Sequence, residues 1–165
     1  MVQVRRIGRD EQDALREVRL KALADAPYAF GSTLARESLL TDDDWADRAR
    51  AGSQGSDRAT FLAVIDGSVV GLIGGYIADS GQSEVDLVSM WTDPAVRRSG
   101  VGRLLVDAVV GWARERGATH VSLWVTCGNT AAEGLYRSVG FVDVGEYQAL
   151  PSDPCKDEKR MILTL

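Results

Sequence analysis

Arg97, Arg98, Gly100 and Gly102 fall within six residues, RRSGVG, between an apolar run and a helix-patterned one. Guanidinium groups bind oxyanions in planar pairs, and glycines let an anion come close to the backbone. A helix opening near Val101 adds unpaired N–H groups and partial positive charge. Those features together read as a cradle for a pyrophosphate. A plain helix cap is the bland alternative, but capping needs neither two arginines nor two glycines. Other groups could do chemistry. Glu84 and Asp86 alternate onto one face of a strand with Val88 and Met90. Tyr136 lies on an apolar helix face, where a phenol still needs a polar partner. His120 is the only histidine and reads first as a surface or capped side chain. Cys127 would need an activating base to act as a nucleophile, and none is evident.

The elements that must position these residues follow from apolar spacing. Val85, Leu87, Val88, Met90 and Trp91 make a strand, stopped by Asp93-Pro94. Val101, Leu104, Leu105, Ala108, Val109 and Trp112 share one face of the helix that follows. Upstream, a strand over Gln3 to Ile7 precedes a helix from Asp10 to about Ala24, ended by Asp25-Ala26-Pro27. Tyr28 to Leu34 reads as a loop. Thr41 caps a second helix with Asp44 completing a loose capping box, and Ala51 to Arg58 reads as a flexible linker. Asp66-Gly67 joins strands Phe61 to Ile65 and Ser68 to Ile77. Gly71, Gly74 and Gly75 in the second of these suggest a bulge or a close backbone approach. Ser80-Gly81 turns into the Val85 strand. A strand over His120 to Thr126, a helix over Asn129 to Val139 closed by Gly140, and strands Phe141 to Ala149 and Lys159 to Leu165 complete the chain. A loop holding Pro151 and Pro154 joins the last two. The order β-α-α-β-β-β-α-β-α-β-β implies an α/β (α+β) fold with a mixed, mostly antiparallel central sheet flanked by helices.

A chain of 165 residues is most simply one domain, residues 1–165. The net charge of −5 argues against a broad basic surface for nucleic acid. No run approaches the roughly 20 apolar residues of a membrane span, and the N-terminus lacks a signal-peptide core. Two cysteines without metal spacing, Cys127 and Cys155, suit a reduced, cytoplasmic protein.

Two motifs in this order resemble the GNAT superfamily of acyl-CoA-dependent N-acetyltransferases. The first is R-x-x-G-x-G at Arg97, Gly100 and Gly102. The second is N-x-x-A-x-x-x-Y-x-x-x-G-F at Asn129, Ala132, Tyr136, Gly140 and Phe141. The resemblance implies that acetyl-CoA is a co-substrate, with no metal. Its pyrophosphate would lie on Arg97, Arg98, Ser99, Gly100, Val101, Gly102 and Arg103, with Asn129 also in contact. Its pantetheine arm would pair with Met90, Trp91 and Thr92, as an added strand pairs with a sheet edge.

Acetyl transfer to an amine needs a base, an oxyanion donor and an acid for the leaving thiolate. The resemblance makes Tyr136 the acid and a backbone N–H near Trp91 or Thr92 the donor. Asp86 or Glu84 would be the base, unless both are simply a solvated strand start. Tyr28, Phe30, Trp45 and the Leu150 to Lys156 loop would meet an amine acceptor that the residues do not identify. A homodimer is one open arrangement; nucleic acid and membrane are not expected partners. Two readings compete: a catalytically silent acyl-CoA-binding domain, and a domain for another nucleotide. The second lacks a P-loop Lys-Ser/Thr, having Gly102-Arg103-Leu104 instead.

Overall fold

The computed structural model describes residues 1–78 and 83–165, so the turn expected at Ser80-Gly81 lies outside the described residues. The described strands are β1 (Gln3–Arg6), β2 (Arg58–Ile65), β3 (Ser68–Ile77), β4 (Glu84–Thr92), β5 (His120–Thr126), β6 (Val142–Leu150) and β7 (Asp153–Thr164). They form one sheet in the order β1-β2-β3-β4-β5-β7-β6. Among the described strands only the β4–β5 pair is parallel. The crossover between them is α4 (Val101–Glu115), as a parallel pair requires. Its stripe of Val101, Leu105, Val109 and Trp112 is buried on one face of the sheet, with Val85, Leu87, Val121, Leu123 and Met161. There the helix comes close: a Cβ at Gly71 would lie 3.0 Å from Leu105, and one at Gly75 3.1 Å from Val109. The expected close approach at these glycines is therefore to a helix. Packed against the same core is α5 (Thr130–Val139).

The other face carries α1 (Gln12–Asp25) and α3 (Asp42–Gln54) over Leu62, Leu72 and Trp91. Thr41 and Asp44 form the expected capping box, each accepting from the other's backbone N–H at 3.1 and 2.9 Å. At Asp66-Gly67 both φ angles are positive, 49° and 79°, which suits a tight hairpin between β2 and β3.

The fold departs from the sequence reading in three places. Residues 51–54 extend α3 instead of forming a linker, because Gly52 is buried against Thr60 and Ile7. After the expected Tyr28 to Leu34 loop a short helix that the sequence did not suggest, α2 (Leu34–Glu37), forms, capped by Thr33 and anchored by a buried Glu37. Pro154 lies in β7 and not in a loop. Residues 154–156 have no partner on β6, so the missing N–H of proline breaks no ladder bond there.

Two irregularities in β4 position everything that follows. Its pairing with β5 ends at Asp86–Ser122, so beyond that point the two parallel strands part. On its other edge the β3 register shifts, leaving Ser89 and Met90 opposite Ile73 as a bulge, with Ser89 at φ 61°.

Candidate active site

The parted strands open a cavity of about 940 Å³. Met90, Trp91 and Thr92 line one wall; Thr126, Cys127, Gly128 and Asn129 line the other. Arg98, Gly100, Gly102 and Arg103 close one end. Asp93 N–H donates to Val70 O at 2.8 Å, and Leu72 faces Trp91 across the ladder. Alternation along an antiparallel pair then turns Trp91 N–H toward β3 and Thr92 N–H toward the open side. Of the two donors expected from the sequence, Thr92 is the one the register leaves free, and Ser89 and Met90 have no register partner of their own on β3.

At the closed end, Gly100 sits at φ 91° and α4 begins without a side-chain cap. The first intrahelical acceptor is Gly100 O, bonded by Leu104 N–H at 3.1 Å. The N–H groups of Val101, Gly102 and Arg103 are therefore left for an anion. The loop arginines are not equivalent. Arg97 is tied to Asp25 at 2.6 Å and to Thr92 O at 3.1 Å. Arg103 reaches Ser138 O at 3.3 Å and Asp107 at 3.5 Å. Arg98 has no hydrogen bond or ion pair among the described residues, at a φ of 63°. Two expected contacts are corrected at the side-chain level. Val101 is buried in the α4 core, and Ser99 Oγ donates to Val96 O, so neither side chain lines the cavity. Asn129 lines it, but its Oδ1 already caps α5 by accepting from Ala132 N–H at 3.3 Å.

Tyr136 projects from α5 into the same cavity, its ring edge-on to Phe141 at 5.8 Å. No protein group bonds its hydroxyl among the described residues, and the oxygen is not sealed. Burial raises its pKa well above the ordinary phenol value, so the phenol stays protonated.

Glu84 and Asp86 do lie on one face, joined through Ser122, whose Oγ is 2.5 Å from Glu84 and 2.6 Å from Asp86. Neither lines the cavity. Arg160 binds Glu84 at 2.5 Å and His120 Nε2 sits 3.0 Å away. Burial opposes ionisation of Glu84, but the bonds from Ser122, Arg160 and His120 outweigh it and bring its pKa to about 2. A carboxylate so held is a poor proton acceptor, which corrects its expected role as base. His120 is likewise occupied, bonding Glu84 and, through Nδ1, Thr119 Oγ1 at 3.0 Å.

The lowered pKa has a sign. Glu84 stabilises the fold above its ordinary value of 4.5 and loses that contribution as pH falls toward 2. The Tm deficit of Glu84→Gln should be full at neutral pH and shrink between pH 4.5 and 2; a deficit constant with pH would contradict the ion pair.

Trp45, expected to meet an acceptor, is 1% exposed and belongs to the α1–α3 core. Tyr28 and Lys156 do line the cavity, and Phe30 is buried below Arg19. Sequence reasoning passed over Arg19, Glu37 and Asp25. Arg19 and Asp25 both reach β4 or its loop from α1.

A sequence profile of the Acetyltransferase (GNAT) family matches residues 19–141. The chain belongs to this family. Among GNAT relatives, it is 34% identical over 140 residues to a mycothiol acetyltransferase of Thermobispora bispora, across 81% of this chain and 43% of that protein. It is 35% identical over 112 residues to the streptothricin acetyltransferase of Streptomyces lavendulae, across 66% and 58%. The chain thus spans about half the length of these curated relatives. A GNAT acetyltransferase from Streptococcus pneumoniae superposes with a TM-score of 0.81 at 22% identity, across 100% of this chain and 99% of that one. The yncA protein of Salmonella typhimurium, solved with acetyl-CoA, gives 0.81 at 18%, across 100% and 94%. At those identities the structures speak for the GNAT fold.

Proposed function

We propose that this GNAT chain transfers an acetyl group from acetyl-CoA to a primary amine by direct attack within a ternary complex. One observation carries the reading: an uncapped helix N-terminus with Arg98 beside it lines the same cavity as Tyr136, whose hydroxyl no protein group bonds among the described residues. The residues fit the co-substrate. The α4 amides, Arg98 and Arg103 would take the pyrophosphate, and the open edge of β4 at Thr92 would pair with the amides of the pantetheine arm. Acetyl-CoA supplies the activated acyl group. The free amides of β4 would then donate to the carbonyl oxygen as it gains charge, and Tyr136 would return a proton to the sulfur.

Asp86 is the better of the two acids for the amine proton. It is the last β4 residue paired to β5, and no cation pairs with it among the described residues. Its side chain shares a sheet face with the exposed Val88 and Trp124, a surface open to an acceptor. The relatives are named for mycothiol, for streptothricin and for an alanine of a ribosomal protein, so the acceptor is proposed only as a primary amine.

The test is the pH profile of kcat/KM with any amine that is turned over. Asp86→Asn should lower the rate about 10²-fold near neutrality, and rising pH should restore part of it as free amine accumulates. Glu84→Gln should keep the wild-type profile shape. A wild-type profile in Asp86→Asn would mean the amine arrives already neutral.

A further inference from the structure

Beyond Asp86 the outer edge of β4 has no strand beside it, yet this is the stretch that must hold amides in fixed positions. Helix α1 holds it from the side. Lys21 Nζ pairs with Asp93 at 2.5 Å, and Asp25 accepts from Trp91 Nε1 at 3.0 Å. Arg19 Nη1 donates to Ser89 Oγ at 3.0 Å, at the bulge itself.

Arg19 is the most firmly placed of the three. Its Nε and Nη2 form a fork on Glu37 at 3.0 and 2.9 Å, and its guanidinium lies 4.8 Å from the Phe30 ring centroid. Glu37 is 2% exposed and takes a third bond, from Arg48, at 2.9 Å. A buried carboxylate between two arginines is a rigid anchor, since neither partner can leave without stranding a charge. What this anchor fixes is a serine at φ 61°, a conformation in which a non-glycine residue persists only when its surroundings hold it.

We propose that Arg19 is a positioning residue for acyl transfer, acting through Ser89 to hold the β4 bulge so that its amides face the reacting carbonyl. The assignment rests on the acetyl-transfer reading above. The Arg19–Glu37–Arg48 group, built on the buried Glu37 carboxylate, on this account exists to stiffen one backbone turn. The other groups near Arg19 do not compete for the Ser89 contact, because Glu37 is satisfied by the fork and by Arg48.

Ser89→Ala is the decisive variant, since it removes the contact and leaves the anchor whole. It should lower kcat by at least about tenfold, with KM for acetyl-CoA within about twofold, because the donors are misplaced and the binding loop is untouched. Backbone amide exchange should accelerate at residues 88–91 and not in α4. Arg19→Met should lower kcat similarly, and the double variant should lose no more than the worse single one, as expected of residues acting through one contact. A purely structural role predicts a lower Tm with wild-type kcat, or additive losses; either result overturns the proposal. A wild type that turns over beside an unaffected Ser89→Ala overturns this inference alone. A wild type inactive on every amine overturns the acetyl-transfer reading and this inference with it.

Discussion

Tyr136→Phe should lower kcat about 10²-fold while leaving Tm and acetyl-CoA affinity close to wild type. The ring stays packed edge-on to Phe141, so the α5 face loses nothing apolar. No protein group among the described residues bonds the hydroxyl, so its removal strands no buried partner. That separates two roles that would otherwise look alike. A structural hydroxyl would cost about 1 kcal/mol of stability and spare turnover; a proton donor costs turnover and spares stability. The magnitude sits at the low end of general acid catalysis, roughly 10² to 10⁴-fold, because a thiolate is a fair leaving group with a pKa near 8.5. Burial keeps the phenol protonated across the working range, so the kcat loss should not vary with pH between about 6 and 9. Unchanged turnover would remove Tyr136 from the mechanism.

The second large effect is expected at Gly102. A ligand that binds only the folded chain stabilises it, by about 2.7 kcal/mol at a hundredfold excess over Kd, so acetyl-CoA should raise the wild-type Tm by several degrees. Gly102→Val should abolish that rise. A Cβ there would lie 2.9 Å from Met90 Cε and 3.0 Å from Leu135 Cδ2, and a branched side chain would fill the approach to the α4 amides. The two neighbours are ends of flexible side chains, so the unliganded variant should still fold, with a Tm lowered by a few degrees at most. Differential scanning fluorimetry with and without acetyl-CoA reads both quantities at once. An equal ligand shift in Gly102→Val would place the anion elsewhere than at α4.

The glycine-rich start of α4 was legible in the sequence because its requirement is local. Gly100 and Gly102, two adjacent arginines and a helical stripe starting at Val101 carry the same signal within a few residues. The place of Tyr136 on the buried face of α5 was legible for a similar reason, through its spacing from Ala132, Leu135 and Val139. The fate of the two acids was not. Alternation put Glu84 and Asp86 on one face, as found, but only the β5–β7 pairing brings Arg160 to Glu84 and neutralises it, 76 residues away in sequence. The bulge in β4 is hidden more deeply. Nothing about a serine announces φ 61°, and its support comes from Arg19, 70 residues upstream. Pro154 marks a loop by its residue type alone, yet it lies in β7, where residues 154–156 need no ladder partner on β6.

The most direct test of the whole account is amine-dependent release of free coenzyme A thiol from acetyl-CoA by the purified chain, across a panel of primary amines. The panel should include small diamines, amino acids, aminoglycoside-type antibiotics and peptides with free N-termini. The account predicts that at least one amine raises thiol release well above the hydrolytic background, in equal amount with acetylated amine, and that Tyr136→Phe lowers the rate about 10²-fold. Tight acetyl-CoA binding with no amine-dependent release from any member of the panel would contradict it, and would instead fit a silent acyl-CoA-binding domain.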